Sequence, residues 1–342
     1  MEISRLFAWL DVLLVSVINS LGLPAWVAEL IEMLGAAIAV LLMAFLIVLF
    51  LVWWKRKLSG HFQQRLGPMR TGWHGWLQTI ADGIKLFQKE DIIPHSVDRR
   101  VFFWAPVICF AASYAAFAVM PWGKNLWPTD LNIGILYIFA ITTFVVISLL
   151  MAGWSSNNKY ALLGGMRSAA QIVSYEVPLT LSVLGVVMVT QSLSMVAIVE
   201  AQDKVYNWFI FRQPLGFLIY LIAATAETNR APFDIPEAEQ ELVAGFNIEY
   251  SGMKFAMFFL AEFLNLFLVS AIAATLFLGG WHGPLLPSWV WFMLKSLLVV
   301  FVIIWFKWTY PRLRVDQLME FCWKFLLPLA FLNLIISGFL FR

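Results

Sequence analysis

Charge is scarce in this sequence. Asp, Glu, Lys and Arg make up 13% of its 342 residues, where a soluble domain carries roughly 25%. That shortfall excludes a water-exposed surface over most of the chain. Cysteine is almost absent. Cys109 and Cys322 each lie alone in an apolar run, so no C-x-x-C pair offers a zinc ribbon or an iron–sulfur site, and both read as buried, inert thiols. No G-x-G-x-x-G follows a strand pattern, and neither a Walker loop nor H-E-x-x-H occurs. The chain carries no signature of a bound nucleotide, a redox metal or a nucleic-acid partner.

What is present is apolar. Hydrophobic residues account for 61%, with thirty Phe and seventeen Trp, and aromatic residues suit lipid and its interfaces. A span needs about 20 apolar residues. Eight segments meet or approach that length: about 31–54, 101–121, 131–154, 162–190, 213–228, 252–280, 287–309 and 321–341. The fifth is short unless it begins before Pro214. The expected fold is an all-α polytopic membrane protein of about eight transmembrane helices, with amphipathic interfacial helices in its cytoplasmic loops. Residues 31–342 form a single membrane domain. Residues 1–30, in which Asp11 interrupts the apolar core behind Arg5 and no clear A-x-A site follows, read as a retained interfacial segment rather than a signal peptide.

Cations set the orientation. Loop 55–100 holds nine Lys and Arg, and the loops on its side hold seventeen in all, against five on the other side. Positive residues stay cytoplasmic. Loops 55–100, 229–251 and 310–320 are therefore cytoplasmic, and both termini face the periplasm. In loop 55–100, WLQTIADGIKLFQKEDIIP places Leu77, Ile80, Ala81, Ile84 and Phe87 on one face of a helix ended by Pro94. It is either a membrane-surface anchor or the wall of a cavity open to the membrane edge.

The densest chemistry lies between residues 227 and 252. Glu227, Asp234, Glu237, Glu239, Glu241 and Glu249 share that stretch with one cation, Arg230. Asp234, Pro236 and Glu237 look like a helix start, with Gly245 as its end. Glu237 and Glu241, four apart, would then share a face and repel. A solvated helix is the plain explanation, but Glu262 sits well inside the following apolar run, about 15 Å beyond Gly252 on a helix. Glu176 lies about 20 Å along the fourth run, beside Pro178, which leaves the carbonyl of Ser174 without a helical donor. Ionisable groups so placed usually mark an ion or proton path, although a Glu paired with an Arg or a Trp N–H would also satisfy the pattern. Lys295, inside the seventh run, either snorkels outward or balances a buried carboxylate.

The strings QQRLGPMRTG, AGWSSNNKYALLGGMRSAAQIVSYEVP, AETNRAPFDIPEAEQELVAGFNIEYSGMKFA and PRLRVDQLM closely resemble the H subunits of bacterial NADH–quinone oxidoreductase, respiratory complex I. The resemblance covers residues from about 30 to 340. It implies a redox-centre-free component of a proton-translocating enzyme in the bacterial inner membrane, with quinone as the substrate. It implies no cofactor bound by this chain alone, since FMN and the iron–sulfur clusters belong to partner subunits. The implied partners are soluble quinone-site and terminal iron–sulfur subunits, neighbouring small membrane subunits and lipid. By resemblance, Arg56, Arg65, Arg230, Asp234, Arg314 and Asp316 match residues that line or gate a quinone cavity. Glu176, Glu227, Glu237, Glu239, Glu249 and Glu262 match a proton-coupling chain. Lys55 stands where relatives commonly have Glu, and Thr142–Leu150 holds no carboxylate where some have one. A stand-alone cation–proton antiporter and the equivalent subunit of a membrane-bound hydrogenase are the competing expectations.

Overall fold

A backbone in lipid has to satisfy its own N–H and C=O groups, so apolar runs of this length fold as helices. The computed structural model describes residues 25–236 and 239–340, without the side chains of residues 25, 28, 32, 239, 240 and 340. Glu237 and most of the segment 1–30 lie outside the described residues. Helix α1 (Ala25–Phe62) leads into a long loop, which carries α2 (Gln78–Gln88). Next come α3 (Arg99–Ala115), continued by a 3₁₀ turn to Val119, α4 (Gly134–Ser155) and α5 (Lys159–Thr190). At the opposite end lie the short α6 (Met195–Glu200) and α7 (Phe209–Arg212). Then follow α8 (Pro214–Glu227), α9 (Glu239–Leu242), α10 (Gly252–Phe277) and α11 (Ser288–Thr309). Finally α12 (Val315–Glu320) runs through a π-helical turn, Phe321–Leu326, into α13 (Leu327–Leu340). Among the described residues, seven helical stretches are long and apolar enough to cross a membrane, and α8, the fifth expected span, has 14 residues. No strand forms among the described residues. The chain is an all-α, multi-pass membrane protein.

Helix starts carry the side-chain caps that unpaired N–H groups require. Asp98 accepts from Arg100 at the start of α3, Asn158 from Tyr160 at α5, and Ser194 from Ala197 at α6. The centre of the molecule is α10, whose residues from Phe263 to Phe277 are nearly all buried. It packs on α1, α3, α8 and α11. Close helix approach depends on missing side chains. A Cβ on Gly153 would lie 2.7 Å from the carbonyl oxygen of Ala161, and one on Gly164 would lie 2.7 Å from Cα of Gly245. The second contact presses the acidic stretch against α5.

Two expected elements differ. Of the helix expected from Asp234 to Gly245, residues 234–236 are not helical, Glu239–Leu242 is, and a 3₁₀ turn follows at Gly245–Asn247. Phe233, Ile235, Leu242 and Phe246 are all buried. The chain bends after Leu242, where Val243 takes φ +65°. Asp234 does not cap a helix, because its carboxylate is held by Arg312. Helix α2 stops at Gln88, well before Pro94, because Lys89 is already extended.

Candidate functional site

The C-terminal ends of α1 and α11, the N-terminal half of α10 and the folded-back loop after α1 line a cavity of about 680 Å³. The turn is tight: a Cβ on Gly60 would lie 2.8 Å from the backbone nitrogen of Gly67. Three cations, Lys55, Arg56 and Arg65, line the cavity beside Gln78, and its apolar wall includes Phe259, Phe263 and Trp308. Arg56 pairs with Asp82 on α2. Arg65 donates from Nε to Gln63 at 2.6 Å.

Phe263 connects this cavity to the acidic stretch. The Lys55 ammonium lies 4.9 Å from its ring centre and the Arg230 guanidinium 5.0 Å from it. Arg230 is buried, and its Nη2 lies 2.7 Å from Glu262 on α10. That contact is an ion pair rather than an aligned hydrogen bond, since Nε and Nη2 of Arg230 are buried with no hydrogen-bond partner. The backbone around Arg230 is fixed by Gln171 of α5, whose amide donates to the carbonyls of Ala226 and Phe233, each at 2.7 Å, and to Asn229 at 3.2 Å. One glutamine side chain thus closes both ends of the loop that presents Arg230.

Asp234 lies 3.2 Å from Arg312, and its Oδ1 is buried without a partner. Burial pushes its carboxyl above the usual range, opposed by the nearby charges of Lys307, Arg312 and Arg230. The Leu313 N–H donates to the Pro232 carbonyl at 3.2 Å, so the loop between α11 and α12 is stitched to the acidic stretch. Arg314 and Asp316 sit apart, as an exposed pair 3.2 Å from each other.

The remaining carboxylates divide. Glu176 accepts from Thr143 at 3.4 Å. Glu227, at the end of α8, is within electrostatic reach of Glu176. Glu249 accepts from Asn158 at 2.7 Å and so is tied to the start of α5. Glu241 pairs with Arg167 at 2.6 Å. Glu237 and the side chain of Glu239 lie outside what is described. Beside Pro178, the freed Ser174 carbonyl receives the thiol of Cys322 at 3.2 Å, within the π-helical turn. Tyr175 donates to the Leu318 carbonyl at 3.0 Å. Sequence reasoning places Gln171 in a polar stripe with Arg167 and Ser174 and Arg312 in the turn after Pro311, gives neither a site role, and does not single out Phe263. A buried ring and an amide inside an apolar helix carry no local signal of function.

These features define a class: a polytopic helical membrane protein with a cation-lined cavity at one end and a buried Arg–Glu pair beside it. Residues 35–338 match the family described as NADH dehydrogenase. Similar proteins include the NADH-quinone oxidoreductase H subunit of Dehalococcoides mccartyi strain CBDB1, 57% identical over 88% of this chain and 85% of its own. The corresponding protein of Carboxydothermus hydrogenoformans is 50% identical over 92% and 90%. The H subunit numbered 2 of Geobacter metallireducens is 47% identical over 93% and 97%. The chain belongs to this family of NADH-quinone oxidoreductase H subunits.

Proposed function

We propose that this chain walls the quinone cavity of a proton-pumping NADH–quinone oxidoreductase and couples quinone reduction to proton movement through its carboxylates. The observation that carries the proposal is the 680 Å³ cavity, joined through one ring, Phe263, to the buried Arg230–Glu262 pair. A quinone headgroup offers carbonyl acceptors, and its reduction builds negative charge. Lys55, Arg56, Arg65 and Arg230 are placed to answer that charge in a partly desolvated site, where it counts for more than in water. Phe259, Phe263 and Trp308 suit the apolar tail.

Added negative charge near Arg230 competes with Glu262 for the guanidinium. Weakening that pair frees the Glu262 carboxylate to seek other partners, and the change passes to the neighbouring carboxylates. Glu176, Glu227 and Glu249 then belong to the coupling path, with Glu237 and Glu239 assigned by resemblance alone. Asp234 orients Arg312 at the cavity side. Arg314 and Asp316, which are exposed, fit better as contacts to a soluble partner subunit than as cavity wall. In this reading the protein lies in the bacterial inner membrane as one membrane domain with periplasmic termini. Its partners are small membrane subunits and the soluble subunits that carry FMN and the iron–sulfur clusters.

The test uses the assembled complex in membranes. Arg65→Ala is expected to raise KM for a short-chain quinone about tenfold or more, while electron entry from NADH to an artificial acceptor stays unchanged. Glu227→Gln is expected to lower quinone reduction or the proton/electron ratio. Wild-type values for both variants would reject the assignment. Ion exchange by the purified chain alone in liposomes would favour the antiporter instead.

A further inference from the structure

A helix docked on a protein turns its apolar stripe inward. Helix α2 does the reverse. Its inward residues are polar: Thr79 is only 6% exposed, Gln78 lines the cavity and donates to Asp82 at 3.1 Å, and Asp82 holds Arg56. Its outward residues are Leu77, Ile80, Ile84 and Phe87, the last 71% exposed. Trp73 and Trp76 before it, and Trp104 in the first turns of α3, are also exposed. Tryptophan gathers at the membrane–water interface, so this surface continues the lipid-facing wall of the spans.

Cations run along one edge of the stripe. Lys85 lies in the last turn of α2 and Lys89 is the residue that caps its end, its N–H donating to the Lys85 carbonyl, and neither side chain makes an ion pair among the described residues. Two nearby carboxylates are already taken, Asp82 by Arg56 and Asp91 by Lys254. Glu90 lies beyond the helix end, where its backbone carbonyl accepts from Ser251. Ala81, Ile84, Lys85, Gln88 and Lys89 line an open groove of about 510 Å³. One wall is apolar and faces lipid, and the other is positive and faces the headgroup layer.

We propose that this groove is a binding site for one anionic phospholipid, with its phosphate between Lys85 and Lys89 and an acyl chain along Ala81 and Ile84. Neither a zwitterionic lipid nor a soluble protein face meets both demands, since the first brings its own ammonium with its phosphate and leaves the net charge of two lysines uncompensated, and the second would have to cover exposed Ile80, Ile84 and Phe87. Gln78 and Asp82, the clamp on Arg56, stand seven and three residues before Lys85 on the same flank of α2, so the bound lipid also steadies the cavity wall.

The site is tested in the assembled complex, with a photoreactive benzoylphenylalanine replacing Ile84, in nanodiscs of phosphatidylcholine containing a minor fraction of phosphatidylglycerol. The identity of the cross-linked species is read by mass spectrometry, a readout that does not depend on quinone chemistry. Phosphatidylglycerol is expected well above its bulk share, with each lysine contributing about fivefold. Lys85→Ala with Lys89→Ala should return the ratio to bulk, and Lys85→Arg with Lys89→Arg should keep it. Cross-links in bulk proportion, cross-links to another polypeptide, or enrichment that survives the double alanine variant would each overturn the proposal.

Discussion

Arg230 and Lys295 are both buried cations, and their surroundings differ in kind. Lys295 donates to the backbone carbonyls of Gly280 and His282 at 3.0 and 2.6 Å and stands 4.0 Å from the centre of the Trp208 ring. Beside it, Gln202 satisfies both ends of its amide, donating to Ile198 and Thr275 and accepting from Phe209 and Gly279. Arg230 instead faces an ionisable partner, Glu262, with Nε and Nη2 unbonded, and its supporting Gln171 leaves Oε1 unpaired. The first cation is locked onto groups that cannot titrate. The second is held by a group that can let go. Polar groups that only close a loop bind backbone, whereas polar groups that respond to charge bind one another.

The sharpest way to break this contrast is to remove each cation. Arg230→Met strands a largely buried carboxylate, and breaking such a pair costs about 3–5 kcal/mol. The thermal stability of the assembled complex should fall steeply. Arg230→Met with Glu262→Gln should recover most of that stability without recovering quinone reduction. If activity returns with stability, Arg230 is structural after all. Lys295→Met strands two carbonyls, each costing about 1–3 kcal/mol. It should lower stability while leaving the quinone-reduction rate per assembled complex unchanged, and a selective loss of rate would put Lys295 on the functional side.

Acid should push the two ends in opposite directions. Burial lowers the pKa of His282 from 6.5, countered by Asp203 and reinforced by Lys295. The unfolded chain therefore binds the extra proton, and stability from this group is lost as pH falls below 6.5. Asp234 is shifted the other way, above 3.8. The folded state binds the extra proton there, so its contribution to stability rises as pH falls from its folded value toward 3.8. Each slope is at most about 1.4 kcal/mol per pH unit. Thermal denaturation of His282→Gln and Asp234→Asn complexes across pH 4–8 should remove one slope each. The smallest effect is expected at the helix break: Cys322→Val should cost about 1 kcal/mol by stranding the Ser174 carbonyl, and Cys322→Ser should cost less.

The all-α membrane class is legible because run length and charge placement are local properties of the chain. Pro178 likewise announces an unpaired carbonyl at Ser174. Its partner, Cys322, comes from the other end of the chain, and no local pattern pairs them. Lys295 has two open readings in the sequence for the same reason. It reaches outward to carbonyls, in a turn whose shape depends on Gly279 at φ +71° packed against Trp208. Glu262 is visible as a carboxylate within an apolar run. Its pairing with Arg230 requires knowing that Gln171 folds residues 226–233 back on α5. The failed helix at Asp234 shows local capping signals losing to the burial of Phe233 and Ile235.

The short helix α8 has a consequence for where the acidic stretch resides. Its 14 residues span about 21 Å at 1.5 Å per residue, whereas the hydrocarbon layer is about 30 Å thick. The 32 residues of its neighbour α5 reach about 48 Å. A helix that starts at one membrane boundary and stops at Glu227 ends roughly 9 Å short of the other. Bare peptide groups persist at that level only when enclosed by protein or wetted by a water-filled cavity. The chain that follows meets that demand by enclosure: Thr228 and Arg230 are buried, and Gln171 of α5 and Glu262 of α10 take the place that lipid would otherwise hold.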